Sequence, residues 1–285
     1  MIRTRREGDR WNLQTALIHL RHPRTGRAVR LMSMIHIGEP RFYARVNEVI
    51  AEQQDGLVLF EGVGQLTEEE IAALEPDERR VYEGLAPLHD AYRKLAAALD
   101  LVAQPDALAK PGPNWVRADV PLKRLLHIWA ERRLPLLPAM DMASKALEGP
   151  IFKRATRFLL LQEPFILSAF KVLRGWSPQL GRLSRLLVDE RNEAAMAAFD
   201  GAAEEKDILF VYGAGHVPGL LDALRRRGYR EEARDWFTAH SERIAMTDLF
   251  DTAADAWRWA SDWATNGSRN GGGRHGRRPA RAERR

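Results

Sequence analysis

Residues 207–216 read DILFVYGAGH: five apolar or aromatic positions in succession, Ile208 to Tyr212, then two glycines and a histidine. A short continuous run of this kind marks a strand buried on both faces, because a half-solvated strand would alternate. Gly213 and Gly215 allow the chain to turn and its backbone to come close to a bound group. From His216 to Arg227 the pattern becomes helical. Strand, glycine turn and helix form the repeating unit of α/β folds, so this stretch sets the fold class.

Two earlier segments share the grammar. LMSMIH (31–36) is an apolar run ending in His36, and GLVLFE (56–61) is one ending in Glu61. Upstream, Gln14 to Leu20 and Ala28 to Ile35 flank RHPRTGR, whose proline and glycine predict a turn and hence a hairpin or adjacent strands. Phe42, Val46, Val49 and Ile50 give Glu39 to Gln54 a helical period. Thr67 followed by Glu70 predicts a helix start, and Asp77 to Leu101 a long helix. Gln104 to Asn114 reads as loop, Trp115 to Val120 as a short strand ending near Asp119, and Pro121 to Arg133 as helix. Residues 134–180 are apolar and proline-interrupted, and predict a helical insertion or lid. Gln179 to Ala203 is helical, and a short mixed segment runs from the last helix to about Ala264. The expected architecture is α/β, a mostly parallel central sheet flanked by helices, in a single domain over 1–265.

Charge and composition limit the chemistry. The chain has 285 residues, a formal net charge of +5 and no cysteine. Without thiolates there is no disulfide framework, iron–sulfur cluster or cysteine nucleophile, and any metal must be held by His, Asp or Glu. Residues 266–285 hold seven Arg and one Glu, a charge of +6, which leaves 1–265 at 5 − 6 = −1. The basicity therefore belongs to a Gly/Arg-rich tail that cannot build a core and is expected to be disordered. Its only expected role is weak, nonspecific contact with anions or nucleic acid. A smaller cluster, Arg3, Arg5, Arg6 and Arg10, reads as frayed terminus. No signal peptide or membrane span is read from the chain, which predicts a soluble, cytoplasmic protein.

In open α/β sheets ligands bind outside the carboxyl ends of the strands, where distant parts of the chain converge. His36, Glu61 and His216 all fall at such ends. Two imidazoles and a carboxylate are a competent set for a divalent metal such as Mn, Co or Zn, with a position left for an activated water. Asp119 is a reserve ligand. In the helical VDERNEAAM (188–196), Arg191 is a permanent cation suited to an anionic substrate or a developing oxyanion. Successive helical residues point about 100° apart, so Glu190, Arg191 and Asn192 cannot all face one way. No GxSxG elbow is present, so a serine triad is unsupported.

The segments LMSMIHIGEPRFYARVNEVI with DGLVLFEGV, and VDERNEAAM with DILFVYGAGHVPGLLDALRRRGY, resemble the TraB/PrgY/GumN superfamily, which includes the TIKI proteins. Its pattern is a GxxH strand end, a Glu-Gly, a Glu-Arg-Asn/Asp helix and a second GxxH, and the likeness covers about residues 28–64 and 187–229. The resemblance implies a fold like that of erythromycin esterase and the ChaN-type proteins, and metal-dependent peptide-bond cleavage. It assigns His36 and His216 to the two GxxH histidines, Glu61 to the acid and Arg191 to the arginine. Ser33 stands where the first motif has glycine, which implies a tighter space beside the metal or substrate. The expected function is therefore a metal-dependent hydrolase of a peptide, amide or ester, with Glu61 and Arg191 catalytic, metal on His36, Glu61, His216 and Asp119, and Ser33, Gly213 and Gly215 shaping the turn. The alternative is a non-catalytic metal-, haem- or peptide-binding protein on the same fold.

Overall fold

The anchoring strand, Ile208–Gly213, lies in the interior of the sheet, between the strands that end in His36 and Glu61. The computed structural model describes residues 1–135, 156–157, 160–161 and 178–243. Among these, a seven-stranded sheet is built from β1 (Ile2–Glu7), β2 (Arg10–Arg21), β3 (Ala28–Met34), β5 (Leu57–Phe60), β7 (Trp115–Arg117), β8 (Ile208–Gly213) and β9 (Arg230–Arg243). A separate pair joins β4 (Ile37–Gly38) to β6 (Val102–Ala103).

Strands β3, β8, β5 and β7 lie side by side in that order, all parallel. β2 runs antiparallel to β1, β3 and β9, so β2 alone opposes the direction shared by the other six strands. The sheet is mixed in its pairing but mostly parallel in strand direction. β9 pairs with β2 along its whole length, which puts β1 and β3 on successive stretches of the opposite edge.

Helices cover the sheet. α1 (Pro40–Ala51) buries Phe42, Tyr43, Val46, Val49 and Ile50. α8 (Glu190–Asp200) and α9 (Val217–Arg226) pack Ala195, Met196, Phe199, Leu220, Leu221 and Leu224 onto Ile208, Phe210 and Tyr212, the alternate side chains of β8. Each fully buried leucine there contributes roughly 1.5–3 kcal/mol. A second cluster joins α3 (Pro76–Leu85) and α6 (Leu122–Glu131) to α7 (Pro178–Ser184) and a π-helical turn (Arg185–Asp189), around the buried Trp129.

Four expectations change. The arginine-rich start is not frayed: Ile2–Glu7 is a strand, since backbone pairing is indifferent to exposed side chains, and Arg3 lies 3.8 Å over the Trp236 ring while its Nε donates to Gln14. The expected helix over 77–101 divides into α3 and α4 (Pro87–Ala98), because the Pro87 nitrogen has no hydrogen to donate. The mixed segment after α9 contains the 14-residue strand β9. The strand expected over 115–120 stops at Arg117. The insertion expected over 134–180 falls almost wholly outside the described residues, as does the tail over 266–285. Among the described residues no helix is long and apolar enough to cross a membrane.

Candidate functional site

Strand register brings the expected residues together. Phe60 is opposite both Val211 and Arg117, and Met34 is opposite Gly213, so the four parallel strands end level with one another. Across that edge the order is His36 after β3, His216 after β8, Glu61 after β5 and Asp119 after β7. Neighbouring strands lie about 4.8 Å apart, so Glu61 is flanked by His216 on one side and Asp119 on the other.

Both Glu61 oxygens accept hydrogen bonds. Oε1 accepts from Arg191 Nη2 at 2.8 Å and lies 3.5 Å from His216 Nε2; Oε2 accepts from the Gly213 amide at 2.7 Å. Gly213 is required here, because a Cβ at that position would lie 2.9 Å from Oε2. Gly215, by contrast, faces open space. Burial works to raise the Glu61 carboxyl, but His216, Arg191 and the Gly213 amide outweigh it and hold the pKa well below the usual carboxylate range.

The Asp119 side chain is fully buried and fully used. It accepts from Arg191 Nε at 2.8 Å and Nη2 at 2.7 Å, and from the amides of Gly62 and Val120 at 2.8 and 2.7 Å. Its observed part is to hold Arg191 in a two-pronged bridge, the geometry that suits a guanidinium. Four of the five Arg191 N–H groups go to Asp119, Glu61 and the Leu187 carbonyl, the last at 3.4 Å; one N–H of Nη1 has no partner among the described residues. Burial alone would lower the Arg191 pKa, but Asp119 and Glu61 reverse this and raise it, so the cation is permanent.

The helix carrying Arg191 fans its first residues over three directions. Glu190 pairs with Arg132, which caps the C-terminus of α6, Arg191 reaches Glu61 and Asp119, and Asn192 reaches His216. The π-helical turn, a feature frequent at functional sites, ends immediately before them. Asn192, 8% exposed, is the member with no role in the sequence reading. Its Nδ2 donates to the His216 carbonyl at 3.2 Å, which leaves Oδ1 facing His216 Nδ1 at 2.8 Å. An amide oxygen accepts only, so His216 carries its hydrogen on Nδ1. The signal available in the sequence was the adjacency of Asn192 to Arg191, and the glycine at 219: a Cβ there would lie 2.4 Å from Asn192 Nδ2.

His216 is buried, its ring edge-on to Tyr212 at 5.8 Å, and it backs Glu61 from the protein side. His36 is different. Its ring is exposed to a cleft and tilts against Tyr92 at 4.9 Å, with its carbonyl accepting from the Gln104 amide. The cleft, about 550 Å³, is lined by His36, Glu61 and Arg191 among others. Although the ring surface is open, the cleft walls strip enough water from it to lower its pKa, with a bond to Gln104 and the charge of Glu61 opposing and Arg191 and His216 assisting. Ser33 is buried outside this cleft, its hydroxyl accepting from the Met1 amine at 2.7 Å.

A metal fits the donor types but not their arrangement. Among the described residues no three His, Asp or Glu side chains are grouped to hold a metal ion. Asp119 is committed to Arg191, and Glu61 Oε1 already faces a cation. No protein-family profile, curated protein or solved structure matches the chain.

Proposed function

We propose that the protein is a hydrolase acting on an amide or ester bond, with the reaction at the cleft formed by His36, Glu61 and Arg191. The observation that carries this reading is the Glu61 carboxylate, held ionised between Arg191 and His216 on the cleft floor. The likeness of the four motifs to the TraB/PrgY/GumN pattern supports it, since the residues aligned by that likeness are the ones that converge.

Each residue has a chemical part. His36, with its pKa lowered, is neutral at physiological pH and takes the proton of an attacking water as general base. Glu61 orients that water and balances the imidazolium as it forms. The free N–H of Arg191 and its fixed charge stabilise the oxyanion of the tetrahedral intermediate. His216 and Asp119 position Glu61 and Arg191 from behind. The test is turnover of a peptide and ester library by purified protein beside His36→Ala and Glu61→Gln. Hydrolysis by the parent, reduced at least about 10²-fold in either variant, is the expected result. Binding without turnover would support the non-catalytic alternative.

A second reading, a divalent ion (Mn, Co or Zn) on His36, Glu61 and His216, has one observation in its favour. His216 Nδ1–H donates to Asn192 Oδ1, so in the neutral form of the ring Nε2 would present a lone pair to the Glu61 carboxylate 3.5 Å away. Two acceptors so placed call for a proton or a cation between them. Arg191 would have to release Oε1, and a rise in thermal stability with added metal, absent in His216→Ala, tests it.

A further inference from the structure

Most of the cleft wall is not polar. Beyond His36, Glu61 and Arg191 it is formed chiefly by Phe60, Tyr92, Trp115, Leu85 and Leu108. Phe60 and Trp115 come from neighbouring strands and meet edge-to-face with centroids 5.3 Å apart. Tyr92, from α4, tilts over His36 on the other side. All three rings are only half-buried, so each presents apolar surface to the cleft. Pro105, in the short helix Gln104–Ala107, and Pro111, in the loop that follows it, stiffen the wall that closes this half, and exposed Lys110 stands at its rim with no ion-pair partner among the described residues.

Ring faces arranged around an open volume of about 550 Å³ suit a planar apolar group, which gains both burial and ring–ring contact. A cation at the rim opposes a basic side chain. We infer that this half of the cleft is a specificity pocket for an aromatic side chain adjoining the scissile carbonyl, so that the substrates are aromatic acyl amides or esters. The inference depends on the hydrolase reading only for where the scissile bond lies; the pocket itself is a binding property.

The test uses the full chain and simple probes. N-acetyl-L-phenylalaninamide, N-acetyl-L-alaninamide and N-acetyl-L-lysinamide are titrated by ligand-observed NMR, and the corresponding methyl esters are assayed for turnover. The expected result is binding of the phenyl probe at least about tenfold tighter than the other two. Leu108→Trp, which fills the pocket, should abolish that preference while leaving the alanyl probe nearly unaffected, and Trp115→Ala should weaken the phenyl probe selectively. Phenyl preference without ester hydrolysis would uphold the pocket and overturn the hydrolase reading. Ester hydrolysis with equal use of the three side chains, or equal binding of the three amides, would overturn the pocket.

Discussion

Asn192 grips His216 at both ends of its carboxamide, donating to the backbone carbonyl at 3.2 Å and accepting from Nδ1 at 2.8 Å. One residue therefore fixes both the ring orientation and the tautomer of a second. Residues that fix an imidazole from behind in this way typically change activity by about 10–100-fold when removed.

Asn192→Ala should reduce kcat/KM by about 10–100-fold and lower stability by about 1–3 kcal/mol, since Nδ1 of His216 is left buried without its acceptor. Nitrogen NMR of the imidazole, which distinguishes the two tautomers, should show a single Nδ1–H form in the parent and a mixture in the variant.

Gly219→Ala offers an independent check. In an ordinary helix this change gains about 1 kcal/mol. Here a Cβ would lie 2.4 Å from Asn192 Nδ2, so the variant should be destabilised and should share the tautomer defect of Asn192→Ala. A stabilised, fully active Gly219→Ala would show that Asn192 has room to move.

Asp119→Ala removes both carboxylate oxygens that hold the Arg191 fork and leaves Glu61 as its remaining anion. Breaking a buried pair by deleting one member costs about 3–5 kcal/mol, and the Asp119 side chain is fully buried. The expected result is a drop of that size in urea unfolding. Any metal-induced stabilisation should survive in proportion, because Asp119 touches Arg191 and backbone amides and no imidazole.

Arg191→Lys keeps the charge but loses the fork. An ammonium cannot hold Asp119 through two parallel bonds and reach Glu61 as well, so turnover should fall by about 10²- to 10³-fold. The measurement is kcat against KM: the loss belongs in kcat if Arg191 acts on the oxyanion.

His240 should contribute to the pH dependence of stability, beside the lowered His36 and Glu61. His240 is fully buried; Glu242 and Glu39 carboxylates lie 3.5 and 3.9 Å from its nitrogens, but burial, assisted by Arg157, outweighs them and pushes its pKa down to about 4. The unfolded chain takes up a proton at the ordinary imidazole value of about 6.5 while the fold does not. Stability from this group is thus present above about pH 6.5, declines as the pH falls, and is gone below about 4. Glu61, also depressed, loses its contribution only below the ordinary carboxylate range. Melting temperatures from pH 7.5 to 4 should slope downward toward acid, and His240→Leu should flatten that slope.

Much of the sheet was legible because burial on both faces writes itself as an apolar run. β8 and β5 are uninterrupted strings of Ile, Leu, Val and Phe with one Tyr, and the residues that follow them are the ones that line or back the cleft. β9 was not legible: a regular apolar–polar alternation is absent from REEARDWFTAHSER, whose first four residues are all exposed, and its pairing depends on the complementary backbone of β2 rather than on its own side chains. Asn192 was hidden for another reason. On a helix its direction differs from that of Arg191 by about 100°, and nothing local says which of them meets the sheet.

By itself the sequence determined the class of the fold and which polar groups stand at strand ends, because periodicity and turn chemistry act over a few residues. It also confined metal chemistry to imidazole and carboxylate through the lack of cysteine. The tertiary structure alone decided the partnerships. The last parallel strand, β8, inserts between β3 and β5, so His216 comes to lie beside Glu61 from 155 residues away, and α8 docks so that Arg191 bridges Glu61 to Asp119. Strand order is set by how whole faces bury one another, and no local stretch of chain carries that information.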